Sequence, residues 1–60
     1  MQGDELKAIR KELGWTIAEM AEALGLSPTW VGQMERDYKP VERRTALAVR
    51  YLREHPEADG

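Results

Sequence analysis

Sixty residues make one small domain, which buries only about 60% of its unfolded surface and depends on tight helix packing or a partner subunit. The absence of cysteine excludes a disulfide framework and a cysteine zinc site, and no apolar run approaches the roughly 20 residues of a membrane span. Net charge is −2, which argues against a polyanionic partner, yet residues 27–53 carry six bases against three acids, and a polyanion senses the field within about 8–10 Å.

The first helix is expected from Asp4, as its N-cap, to Leu13, with Leu6, Ile9 and Leu13 forming one apolar face. Gly14 supplies the left-handed residue that ends it. The second helix has a complete start signal. Thr16 is the N-cap, Glu19 three residues later completes a capping box, and Trp15 and Met20 stand where a hydrophobic staple would form. Met20, Ala21 and Leu24 form its buried face, and Gly25 stops it. The third helix starts at once: Ser27 is the N-cap, Pro28 fits the first helical position, Leu26 and Val31 form a second staple, and Val31 and Met34 point inward. Asp37 to Pro40 reads as a turn. The fourth helix is expected from Val41 to Glu54, with Thr45, Ala48, Val49 and Leu52 as its core stripe and Leu47 and Tyr51 on another face. His55 reads as a solvated helix-end residue. The domain is expected over residues 1–55, followed by a disordered acidic tail over 56–60.

The fold class expected is therefore all-α, a compact four-helix domain. Its second and third helices are joined by only Gly25 and Leu26, which defines a helix-turn-helix unit. The segment Thr16-Ile17-Ala18-Glu19-Met20-Ala21-Glu22-Ala23-Leu24-Gly25-Leu26-Ser27, followed by Val31, Met34-Glu35-Arg36 and Pro40, resembles the Cro and phage-repressor-like helix-turn-helix family over Leu6 to Leu52. The resemblance implies a lambda-repressor-like helical bundle, a third helix that reads bases, and dimers on two-fold-related half-sites. It further implies a nucleoid-associated regulator of phage or mobile-element type, and the lack of cysteine, of an apolar span and of signal-peptide features at Met1 to Glu5 leads to the expectation of a cytoplasmic one. Ala21 lets the third helix pack closely on the second, and Gly25 takes a positive φ. Arg10 and Glu35 resemble the family's ion pair between the first and third helices, which fixes geometry more than it adds stability.

The same resemblance distributes the contacts to double-stranded DNA. Pro28, Thr29, Trp30 and Gln33 stand at base-contact positions. Gln33 can pair bidentately with adenine, Thr29 can meet a thymine methyl or a base acceptor, and Pro28 offers apolar contact alone. Trp30 either stacks on the sugar-phosphate wall or a thymine methyl, or packs beside Trp15 or the fourth helix. Gly32 is expected on the outer face, where it either allows close backbone approach or weakens the helix by up to ~1 kcal/mol. Thr16, Ile17, Ser27, Arg36, Lys39, Arg43 and Arg44 are the phosphate contacts, through helix N-termini and cations. Leu47, Arg50, Tyr51 and Glu54 are the expected homodimer interface, implying an inverted-repeat operator.

No catalytic residue, metal, cofactor or small-molecule ligand is expected: the chain has one histidine, no cysteine, no glycine-rich phosphate loop and no length for a deep pocket. The function expected is a transcriptional regulator that represses by occluding a promoter. The rival is an antitoxin or co-regulator using the same fold mainly for protein contacts, and the net acidity, Pro28, Trp30 and Ile17 support it.

Overall fold

The computed structural model describes residues 1–56. These form four helices and no strand: α1 (Gly3–Glu12), α2 (Ile17–Leu24), α3 (Pro28–Glu35) and α4 (Arg43–Glu54). Residues 57–60, and with them most of the expected tail, lie outside the described residues.

The first three helices stop in the same way, each on a residue in the left-handed region. The following pair of amides then turns back to the last turn's carbonyls, as in a Schellman motif. In α1, Gly14 (φ 74°) and Trp15 donate to Lys11 O and Arg10 O. In α2, Gly25 (φ 71°) and Leu26 donate to Glu22 O and Ala21 O. In α3 the left-handed residue is Asp37 (φ 62°), with the Asp37 and Tyr38 amides donating to Met34 O and Gln33 O at 3.1 and 2.8 Å. An aspartate there is strained relative to glycine, and its side chain explains the choice. Asp37 Oδ1 accepts the Gly3 amide at 3.0 Å, capping α1 from 34 residues away.

This tertiary cap corrects the expected role of Asp4. The helix begins at Gly3 with Gln2 as its N-cap, which makes no side-chain cap bond, and Asp4 Oδ1 accepts only the neighbouring Glu5 amide. Gly3 also has no room for a side chain. A Cβ there would fall on the Met34 carbonyl and lie 2.7 Å from that of Glu35. The start of α1 is thus pressed directly against the end of α3.

The local starts of α2 and α3 form as their residues dictate. Thr16 Oγ1 accepts the Glu19 amide while Glu19 Oε1 accepts the Thr16 amide, at 3.1 and 2.8 Å. Ser27 Oγ accepts the Trp30 amide at 3.1 Å. The core joins Leu6 and Ile9 of α1, Met20 and Ala21 of α2, Val31 and Met34 of α3, and Val49 of α4. Burying each large member contributes roughly 1.5–3 kcal/mol. Met1, Leu13, Trp15, Ile17, Leu24, Leu26 and Val41 cover its edges. Helix α3 packs on α2 and α1, and α4 closes the base against α1 and α2.

The fourth helix differs from expectation in start and in rotation. It begins at Arg43, with Glu42 as an N-cap that makes no side-chain bond, while Val41 stays outside the helix and packs on the core. The buried stripe is Ala46, Val49 and Leu52, with Thr45 at its edge; Ala48 is exposed. Alanine is small enough to sit on either face, so Ala46 and Ala48 could be told apart only by how α4 is rotated against α1 and α2.

Arg10 and Glu35 tie α1 to α3 across the core edge. Arg10 Nε and Nη2 donate to Glu35 Oε2 and Oε1 at 2.6 and 3.2 Å, and Nη1 donates to the Trp15 carbonyl at 2.9 Å. Their side chains are only 11% and 5% exposed. The planar guanidinium satisfies a carboxylate and a backbone carbonyl at once, a geometry that lysine could not supply.

Candidate nucleic-acid interface

Three anchors fix α3 on its inner side: Val31 and Met34 in the core, the Glu35–Arg10 pair, and the Asp37–Gly3 cap. At 3.6 residues per turn, Thr29, Gln33 and Arg36 then line up on its outer side. Pro28 and Thr29 are exposed and Gln33 is half-buried. Among the described residues no hydrogen bond engages the Gln33 carboxamide. Its backbone carbonyl is occupied by the amides of Tyr38 and Lys39, at 2.8 and 3.3 Å. The turn after α3 is thereby drawn back alongside Gln33, and a cation comes with it.

That cation is Lys39, whose Nζ sits 5.0 Å from the centre of the Trp30 ring. Trp30 is 38% exposed and is not part of the core. One face of its ring is covered by the lysine. Arg36 sits similarly against Tyr38, 5.8 Å from the ring centre, and Tyr38 is 72% exposed. In an αL-terminated helix the residue in the position of Tyr38 commonly packs back on the helix. Trp15 and Leu26 do so; Tyr38 does not. Tyr38 and Asp37 are the residues near the site that reading the sequence missed. An aromatic between a cation and a Lys-Pro turn was the available signal for the first.

Gly32 departs from its expected position. It is buried, because Arg36 folds back over it. Arg36 Nε donates to the Gly32 carbonyl at 3.3 Å, and a Cβ at Gly32 would meet Arg36 Nη2 at 3.2 Å. The glycine therefore makes room for the arginine and offers no surface to a ligand.

The helix N-termini carry fewer free groups than their sequence suggested. Thr16 Oγ1 and its amide are both used by the capping box, which leaves the first amides of α2, at Ile17 and Ala18, and the Thr16 hydroxyl proton. The Ile17 side chain packs on the core, so only its amide can meet a phosphate. Ser27 is engaged as the cap of α3 and retains its hydroxyl proton. The N-terminus of α4, without a side-chain cap, opens into a shallow depression lined by Glu42, Arg43, Arg44 and Thr45. Arg44 lies round the helix on the side of Leu47, Tyr51 and Glu54, away from the core stripe.

A family model described as a helix-turn-helix domain matches residues 3–58, nearly the whole chain. The chain belongs to this helix-turn-helix family. Comparison with the curated proteins and with the solved structures returned no match. In this helix-turn-helix domain α2 and α3 are the paired helices, with Gly25 and Leu26 in the turn between them. None of the helices is long and apolar enough to cross a membrane among the described residues.

Proposed function

We propose that the domain is a non-catalytic, sequence-specific regulator of Cro-like type that lays α3 in the major groove of double-stranded DNA and represses by occluding a promoter. The observation that carries this reading is the outer line of α3. Thr29 is exposed and Gln33, half-buried and with no hydrogen bond to its carboxamide among the described residues, lies beside it on a helix held from behind by three anchors, with Lys39 and Arg36 on the adjoining turn. The Gln33 amide can pair with the N6 and N7 edge of adenine, and Thr29 can meet a thymine methyl. Trp30 lies beside this line, suited to an apolar contact with the sugar wall. Arg36, Lys39 and Arg43, with the Ile17 and Ala18 amides, supply contacts to about four phosphates per subunit.

The longest dimension of the described chain is 29 Å, shorter than the roughly 34 Å between half-site centres. One copy therefore reads one half-site. The regulator is proposed to act as a homodimer on an inverted repeat, with the exposed Leu47 and Tyr51 of α4 at the interface and Arg50 and Glu54 on its rim.

Selection of bound duplexes from a random pool, followed by salt titration on the best one, tests this. The expected result is an inverted-repeat preference and a log–log salt slope of about −3 per subunit, flattened by about one unit per subunit in Arg43→Ala. No enrichment and no salt-dependent duplex binding would instead favour the second reading, an antitoxin or co-regulator that uses the exposed Trp30 and Tyr38 for a protein partner.

A further inference from the structure

The outer face of α4 carries four residues whose spacing is its own mirror image: Arg44, Leu47, Tyr51 and Glu54, at steps of three, four and three. At 3.6 residues per turn they fall within about 80° of one another around the axis. All four are exposed, Leu47 by 54% and Tyr51 by 56%. A line with this symmetry meets an antiparallel copy of itself in a single register, centred on position 49. Leu47 then faces the copy's tyrosine at position 51, and Arg44 faces the copy's glutamate at position 54. Apolar meets apolar in the middle, and opposite charges meet at both ends.

The charges are available for this. Among the described residues the chain has one ion pair, Arg10–Glu35. Among those residues Arg44 has no carboxylate partner, and Glu54 does not pair with Arg50, although Arg50 stands four residues before it on the same helix. Only one end of the line is basic and only the other acidic, so a parallel copy would set like charge against like. The Tyr51 ring is steadied by the His55 ring, 4.6 Å away, which directs it along the face.

We propose that two copies of the chain associate through antiparallel α4 helices in this register, with Arg44 pairing across the interface and not with a phosphate. The inference rests on the homodimer reading above and adds the helix orientation, the pairing and a changed role for Arg44. An isologous contact makes each pair twice, so each charge counts double.

The test is sedimentation equilibrium of the full chain without DNA, on the wild type, Arg44→Glu, Glu54→Arg and the double variant, with far-UV circular dichroism to confirm the fold. Each single reversal should weaken dimerisation about tenfold by setting like charges opposite one another at two places, and the double variant should regain the wild-type constant. A second measurement does not depend on the strength of the dimer. The chain has no cysteine, so Arg44→Cys and Glu54→Cys chains mixed and oxidised should join to each other. Arg44→Cys alone should not self-link, because its two copies lie about 15 Å apart along the helices, beyond disulfide reach. A chain that stays monomeric to millimolar concentration overturns the proposal together with the homodimer reading. A dimer that is indifferent to the reversals, or efficient self-linking of Arg44→Cys, overturns the register and leaves the homodimer standing.

Discussion

Replacing Arg10 with methionine removes the cation from a carboxylate that is only 5% exposed. Glu35 loses two hydrogen bonds, and the Trp15 carbonyl loses its 2.9 Å donor. Breaking a buried pair by removing one partner costs about 3–5 kcal/mol. A chain of this length has a total stability of about 3–9 kcal/mol at the usual increment per residue, so Arg10→Met should remove roughly a third of it or more. With a urea slope of about 1 kcal/mol/M for so small a domain, the midpoint should fall by about 3–5 M. The double variant Arg10→Met, Glu35→Leu removes both charges and fills the same space. It should recover most of the loss, since a buried ion pair and a well-packed apolar pair of similar volume are close in free energy. Urea melts followed by circular dichroism read both. If Arg10→Met shifts the midpoint by less than about 0.5 M, or if the double variant is as unstable as the single, the pair does not hold α1 to α3 as argued.

The cap between Asp37 and Gly3 separates two effects. Asp37→Ala should cost about 1–2 kcal/mol, losing the cap and keeping the unfavourable φ. In Asp37→Gly the relief of that φ should offset most of the lost cap, and Asp37→Asn should stay within about 1 kcal/mol of the wild type; thermal melts rank the three, and an alanine variant as stable as the glycine variant contradicts the assignment. Gly3→Ala should destabilise by at least about 1–3 kcal/mol because its methyl would meet backbone carbonyls that cannot turn aside, and an unchanged melting temperature would show that the α1–α3 contact is looser than described. Lys39→Ala should uncover one face of Trp30 and flatten the salt slope of duplex binding by about one unit; an unchanged slope would place Lys39 outside the interface.

The parts of the fold legible in the sequence were those decided within a few residues. Thr16 with Glu19, Ser27 with Pro28, and the glycines at 14 and 25 each act through backbone groups no more than five positions away, so residue type and spacing carry the outcome. What escaped was decided by packing between distant segments. Asp37 gave no sign that its carboxylate would cap a helix 34 residues away, and Asp4, the nearer candidate, masked it. The rotation of α4 was ambiguous because alanines at 46 and 48 fit either face. At the site, the outward placement of Thr29 and Gln33 followed from the inward pull of Val31 and Met34 at helical spacing. The burial of Gly32 under Arg36 and the settling of Lys39 on Trp30 depend on side-chain rotamers that no spacing encodes.

The most direct test of α3 as the reading helix is Gln33→Ala, measured on the best duplex selected by the wild type and again by selection from the random pool. The account predicts a loss of about 1–3 kcal/mol on that duplex, relaxed preference at one base pair per half-site, and an unchanged salt slope. Wild-type affinity together with an unaltered selected sequence would contradict it.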